Sequence, residues 1–392
     1  MIPADLLSVA ACPDCRGVLA GDTDAVRCTG CGRRFDAGRG YLDLRPLASF
    51  TEQTKYLDEA LHADARHESI SPPLLGSKVR NDRLRAFLDL RPGDRAVDLG
   101  CGNGRALAWN IGTGASLTGV DISPFFAHDA LGRFGLILGD LRRLPLRDGV
   151  FNKAWTLDVL EHLSPQALRD VLREANRVLA DDGALFVYTH VRKNGWISGG
   201  LRLVNRLARA LERIGLIDLR QERLRKSDHL NPIADHDELR RVMAECGFTI
   251  ERLTYYTPIL GALIENVLVR VVEQQLTKRA VARAAAGGGA PAAGAPATAA
   301  TTGPETAGPA DAAAAREVRT AAKARIGRRG AVYGALRILS AIMTLDVVLF
   351  GRLRSGPFFA LARKTGQASR LPGDEATRPE GGVPPHTSGS TS

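Results

Sequence analysis

From Arg95 onward the chain alternates short apolar runs with amphipathic stretches. The runs Ala96–Leu99, Leu117–Asp121, Leu136–Gly139, Lys153–Leu157, Ala184–Thr189 and Thr249–Tyr256 read as strands. The segments 104–111, 124–131, 165–179 and 237–246 carry the apolar spacing of helices. Strands and helices in alternation predict an α/β domain built on a doubly wound sheet. A later run, Gly356-Pro357-Phe358-Phe359-Ala360-Leu361-Ala362-Arg363-Lys364, predicts one more buried strand over Phe358–Lys364. Before it, 26 of the 33 residues in 284–316 are Ala, Gly or Pro. Such a segment has almost no side chains to pack and reads as a flexible tether that interrupts the domain before its last strand.

These patterns divide the chain into a compact unit at 1–46, a helical linker at 47–80 closed by Ser71-Pro72-Pro73, and a main domain at 81–283. The main domain carries an insertion at 191–227 and resumes at 317–366 as a helix and the last strand. Residues 367–392 read as a disordered tail. The start, Met1-Ile2-Pro3-Ala4-Asp5, has neither the basic nor the apolar region of a signal peptide. The longest strongly apolar stretch, Ile338–Phe350, is interrupted by Asp346 and is shorter than the roughly 20 residues that a membrane span requires. The expected location is the cytoplasm.

Composition adds one feature to this outline. The 392 residues include 53 Lys and Arg against 43 Asp and Glu, a formal net charge of +10, in an otherwise ordinary globular composition. The charge is concentrated. Residues 191–227 hold ten basic and three acidic side chains, and residues 316–354 hold nine and two, so the rest of the chain is net acidic. On a helical wheel Arg202, Arg206, Arg209 and Arg213 form a stripe opposite Leu203, Val204, Leu207, Leu211 and Ile214. A basic amphipathic helix of this kind has three readings: a lid packed on its own core, a contact with an anionic membrane surface, or a cap over a hydrophobic acceptor.

Four of the six cysteines fall in the first 31 residues as Cys12-Pro13-Asp14-Cys15 and Cys28-Thr29-Gly30-Cys31. Two such knuckles bring four thiolates to about 2.3 Å from one tetrahedral Zn²⁺. Four protein ligands leave no open position, so Cys12, Cys15, Cys28 and Cys31 predict a structural metal site and not a catalytic one. A unit this small gains from the metal the folding energy its core cannot supply. With Tyr41-Leu42-Asp43-Leu44-Arg45-Pro46 following, the segment resembles the small zinc-ribbon subunits that activate tRNA and release-factor methyltransferases. The resemblance implies a docking or stabilising module.

The run Val97-Asp98-Leu99-Gly100-Cys101-Gly102-Asn103-Gly104-Arg105 sits at a strand-to-helix junction, where glycines let the backbone approach a ligand. Asp121 ends the second strand, where a carboxylate can take both hydroxyls of a ribose. Gly139-Asp140 ends the third strand and can face an adenine amino group. The fourth strand runs into Asp158-Val159-Leu160-Glu161-His162-Leu163. Together these residues resemble class I S-adenosylmethionine-dependent methyltransferases, of the type that methylates quinones and other small molecules. The resemblance implies a Rossmann-like, seven-stranded sheet with an antiparallel last strand. It also implies S-adenosylmethionine as cofactor. The cofactor would be held by the loop Gly100, Cys101, Gly102, Asn103 and Gly104, by Asp98 toward the methionine amino group and by Asp121 and Ile122 at the ribose. Asp140 and Leu141 would lie at the adenine, and Leu157, Asp158 and His162 would follow the fourth strand. The plainer alternatives are that Asp158 and His162 only fix a turn, and that Cys101 and Cys246 are buried fillers.

A sulfonium donor carries an activated methyl group, so the protein has mainly to align the acceptor. A base is needed only where the acceptor loses a proton. His190, just after the fifth strand, is the expected substrate-side group, ahead of Tyr188 and His229; His236 belongs to the start of a helix. The expected acceptor is a small or lipid-like molecule, with peripheral membrane contact through the basic helices as an added reading. RNA methylation is the first alternative. The insertion carries a single aromatic, Trp196, whereas readers of single strands interleave stacking rings. The second alternative is a non-catalytic module that binds a partner through the ribbon. The sequence gives no oligomeric state.

Overall fold

The computed structural model describes residues 2–3, 5–21, 25–47, 70–192, 198–217, 229–230, 232–256, 260–272, 274–275, 330–354 and 356–366. The expected tether at 284–316 and tail at 367–392 lie outside the described residues, as does most of the expected linker.

Eight strands form one mixed sheet. In spatial order they are β10 (Phe248–Tyr255), β11 (Pro357–Lys364), β9 (Leu179–His190), β8 (Phe151–Leu157), β5 (Arg95–Leu99), β6 (Ser116–Asp121), β7 (Gly135–Leu138) and β4 (Leu42–Asp43). The strands from β9 to β4 run parallel, and β11 is antiparallel to both neighbours, as expected for the last strand. Burial of both faces explains why β5 to β7 read as nearly continuous apolar runs.

The eighth strand corrects the expectation of seven. It comes from the N-terminal unit, where β4 pairs in parallel with β7 through Leu42↔Ile137 and Asp43↔Leu138. The rest of that unit is a helical turn, α1 (Leu6–Val9), and a three-stranded antiparallel sheet of β1 (Leu19–Gly21), β2 (Ala25–Cys28) and β3 (Arg34–Asp36). Leu6, Val9, Leu42 and Leu44 are buried in the same core as Val97, Val120 and Ile137. Each such side chain contributes about 1.5–3 kcal/mol when fully buried. Polar contacts add to the joint: Arg16 Nη2 donates to Glu174 Oε1 at 3.0 Å, and Arg143 Nη2 to the Asp14 carbonyl at 2.6 Å. The N-terminal unit is therefore continuous with the main domain.

The helices are α2 (Leu75–Leu88), α3 (Arg105–Asn110), α4 (Pro165–Val178), α5 (Ser198–Arg213), α6 (His236–Glu245), α7 (Leu260–Leu263, running on as a π turn through Leu268) and α8 (Ala331–Phe350). Ser164 caps α4, its hydroxyl accepting from the Ala167 N–H, and Asp235 caps α6 in the same way through Glu238. Residues 124–131 do not form the expected helix. Phe125, Phe126, Ala127 and Ala130 are buried there in irregular backbone. The Ala127 N–H is held by the Asn103 carbonyl at 3.0 Å, and Phe126 packs on Tyr41 of the ribbon at 5.2 Å. Tertiary contacts override the helical spacing at this point.

α2 begins inside the expected linker and packs on β9 and α8, so the main domain starts before residue 81. α8 is 20 residues long, which corrects the shorter apolar stretch read from the sequence: by length and composition it suffices to cross a membrane. In α5, Ala208 and Leu211 pack against Val267 and Val271 next to α7, while Leu207 and Ile214 stay exposed. The apolar face of the insertion thus rests partly on the chain's own core.

Candidate functional site

The carboxyl ends of the parallel strands converge on one crevice, where sheets of this kind take their ligands. The turn after β5 has three glycines in the left-handed region, with φ of 84° at Gly100, 54° at Gly102 and 85° at Gly104. A Cβ at Gly100 would meet Val159 at 2.4 Å, whereas at Gly102 it would meet nothing within 4 Å. Gly100 is thus fixed by packing, and Gly102 leaves open space for a ligand against the backbone. The helix expected over 104–111 starts at Arg105, with Gly104 as its cap and the Asn103 carboxamide oxygen accepting from the Arg105 N–H. Cys101 is buried, and its sulfur is among the nearest neighbours of Gly119, so its side chain packs inward and only its backbone faces the crevice.

Asp121, at the end of β6, accepts from the Gly102 N–H through Oδ2 at 2.7 Å. Its Oδ1 accepts from the Ser123 N–H and hydroxyl at 2.9 and 2.7 Å. The carboxylate is locked to the glycine loop, as a ribose-binding group at a fixed distance from that loop would be. Ser123 was missed by the sequence reading, although an Asp-x-Ser spacing is the mark of an Asx turn. Ile122, between them, is half-buried.

Asp98 is buried below the loop, and its Oδ1 has no hydrogen-bond partner. Burial pushes its carboxyl up to about 8, opposed by the Trp155 indole N–H and reinforced by the charge of Asp121. An orphaned carboxylate oxygen in this position fits the ammonium of an amino-acid moiety. Asp140 is placed differently from expectation. Both of its oxygens are held by Arg142, through Nε at 3.1 Å and Nη2 at 2.9 Å. An adenine amino group would share the carboxylate with that guanidinium, beside half-buried Leu141.

A second group of residues faces the crevice beyond β8. Leu157 ends the strand, and Asp158 follows with a φ of 57° and 46 % of its side chain exposed. Arg80 of α2 lies 4.0 Å from that carboxylate, with its guanidinium over the ring of Tyr188 at 5.2 Å and of Tyr256 at 5.9 Å. Tyr256 in turn donates to Glu265 at 2.8 Å. Sequence reasoning missed Arg80 because it lay in an unpatterned segment, and Tyr256 and Glu265 because nothing local ties them to the site.

His190 ends β9 with Nδ1 3.3 Å from Glu161 Oε1, and neither atom has another partner. Glu161 is fully buried, and Thr189 Oγ1 donates to its Oε2 at 2.8 Å. Burial alone would raise the Glu161 carboxyl, but the His190 imidazole outweighs it and holds the group below its ordinary range. A carboxylate fixing one imidazole nitrogen leaves Nε2 to work as a base. His162 lies beside them, its ring 4.6 Å from that of His229, which is itself 5.9 Å from His190. Glu161, His162 and His229 also have ligand atoms close enough to hold a cation. The structure thus brings Asp158, His162, Tyr188, His190 and His229 together. His236 stands apart, packed on Tyr255 and Phe358.

At the far end of the chain the four cysteine sulfurs lie within 4.8 Å of one another. Cys12 and Cys31 are 3.7 Å apart and Cys15 and Cys28 are 3.4 Å apart. Tetrahedral coordination at 2.3 Å requires sulfurs about 3.8 Å apart, so the donor set fits a four-thiolate metal. The Gly30 and Cys31 N–H groups both point at Cys28 Sγ, at 3.3 and 3.4 Å. A Cβ at Gly17 would strike Cys28 Sγ at 2.9 Å.

A parallel sheet closed by one antiparallel strand, with a glycine loop after β5 and an acid after β6, defines a Rossmann-like methyltransferase fold. Residues 97–187 match the family model described as a methyltransferase domain. The chain is 34% identical over 114 residues to 27-O-demethylrifamycin SV methyltransferase of Amycolatopsis mediterranei, which covers 26% of this chain and 41% of that protein. It is 31% identical over 125 residues to squalene methyltransferase 1 of Botryococcus braunii, covering 29% and 32% of the two chains. The chain therefore spans less than half the length of these curated relatives. Among solved structures it is similar to geranyl diphosphate C-methyltransferase from Streptomyces coelicolor, with a TM-score of 0.39 at 13% identity over 80% of this chain and 94% of that one.

Proposed function

We propose that the protein transfers a methyl group from S-adenosylmethionine to an apolar small molecule, at an oxygen or carbon that gives up a proton. The observation that carries this reading is the His190–Glu161 pair, set beside Asp158 and Arg80 in the crevice that also holds Gly102, Asp121 and Asp98. The names of the two relatives, which act on a rifamycin demethyl precursor and on squalene, support this acceptor class.

S-adenosylmethionine, when bound, supplies a methyl group already activated on a sulfonium. Asp98 takes the ammonium of the amino-acid end, Asp121 the ribose, and the Gly100–Gly104 backbone the space between. Tyr188 and Tyr256 are buried beneath Arg80 and position its guanidinium, and Arg80 and Asp158 offer the acceptor polar handles. His190 Nε2 receives the acceptor's proton as the new bond forms, and Glu161 stabilises the resulting imidazolium through Nδ1. Glu161 touches no reacting atom and acts as a positioning residue. The four cysteines hold a structural zinc, and the cytoplasm is the expected compartment.

Calorimetry with S-adenosylmethionine and Asp121→Ala tests the cofactor assignment: the variant should bind more than tenfold more weakly. Methyl transfer from labelled cofactor into extracts of terpenoid and polyketide-type compounds tests the acceptor class. Labelling of RNA in place of the small molecules would overturn it.

A further inference from the structure

α8 is built inside out. Its protein-facing side carries Ser340 and Asp346 along with Met343 and Val347, all buried. Ser340 Oγ accepts from the Leu75 N–H at 2.7 Å, and Asp346 Oδ2 from the Gly261 N–H at 3.0 Å. Its solvent-facing side carries Ile338, Ile342, Leu345 and Leu349, a 4-3-4 spacing that keeps one face. These side chains are 64%, 37%, 54% and 61% exposed. Surface helices of soluble domains show the reverse arrangement. The apolar surface continues onto α7, where Leu260 and Leu263 are exposed on either side of the Gly261–Asp346 contact.

We propose that this face docks on an acidic lipid bilayer, with α8 lying in the interface plane. Charge selects the occupant. Arg337 within the helix and Arg352 just beyond it are exposed, and the sequence leading into the helix, residues 316–329, holds six basic side chains and one acid. α5, packed beside α7, exposes Arg206 and Arg213. An apolar stripe framed by cations matches acyl chains below anionic headgroups. A second copy of the chain would set like charges against each other. A spanning orientation is incompatible with the packing, because Met343 and Val347 belong to the core and the chain enters the interior strand β11 seven residues after the helix ends. The inner side of α8 packs on α2, the helix that carries Arg80, so a docked bilayer would lie next to an element of the methyl-transfer site. That last link rests on the proposed methyl transfer; docking itself does not.

Flotation with phosphatidylcholine vesicles, with and without phosphatidylglycerol, tests the proposal. The full chain should float with the anionic vesicles and about tenfold less with the neutral ones. Ile338→Glu combined with Leu345→Glu should abolish flotation, and the milder Ile338→Ser with Leu345→Ser should weaken it. Both side chains are exposed, so melting temperature and S-adenosylmethionine affinity should stay unchanged in either variant. Equal flotation of wild type and variants, or none by the wild type, overturns docking. So does a wild-type dimer that the glutamate variant splits into monomers, because a second copy would then cover the face. Loss of cofactor binding with flotation intact would count against the methyltransferase reading alone.

Discussion

At the scale of single residues, Asp98 gives the sharpest prediction. Its folded carboxyl titrates at about 8 against 3.8 for the ordinary group. Between those values the folded protein holds a proton that the unfolded chain has lost, so this residue makes stability fall as pH rises through that window. An ammonium ligand favours the carboxylate and must expel the proton. Affinity for S-adenosylmethionine should therefore rise from pH 6 to about 8, with proton release visible as a buffer-dependent binding enthalpy. Asp98→Asn should show neither effect. The His190–Glu161 pair yields a second prediction. His190→Ala should lower kcat at least 100-fold, with partial recovery in millimolar imidazole. Glu161→Gln should lower kcat about tenfold with cofactor affinity unchanged, since the carboxylate reaches the reaction through His190 and its other oxygen meets Thr189. A Glu161→Gln enzyme that lost cofactor binding instead would point to a purely structural role.

At the scale of elements, the ribbon is the part whose role the fold redefines. The cysteine spacing predicts a self-contained module, yet β4 extends the main sheet and Leu6, Val9, Leu42 and Leu44 share the main core. Metal removal should then be felt beyond the module. Replacing Cys28 and Cys31 by Ser should release one zinc per chain and lower the main melting transition by roughly 5–10 °C. An unchanged main transition would mean that the ribbon is an appendage. The loop at 124–131 shows the converse effect. Its apolar spacing suits a helix, but Asn103 and Tyr41 hold it in another shape.

At the scale of the whole molecule, two interruptions of the sheet place the charge, one between β9 and β10 and one between β10 and β11. One basic segment is the insertion that contains α5, and the other contains α8, and both meet α7 on the same side of the domain. Among the described residues, Arg206 and Arg213 of α5 and Arg337 of α8 are exposed on helices that both meet α7. The sheet, the glycine loop, Asp121, His190 and the four-cysteine cluster were legible in the sequence. Each rests on local pattern: short apolar runs, glycines at a strand end, and paired knuckles. Arg80, the Glu161 support of His190, the Arg142 clamp on Asp140, the eighth strand and the inverted face of α8 were not. Each depends on residues tens to hundreds of positions apart, or on which side of a helix meets the core. The sequence by itself determined the chemistry available at each strand end, because backbone conformation there follows from neighbouring residues. Only the tertiary structure decided which groups face one another and which apolar face is left uncovered, because burial is settled by packing between distant segments.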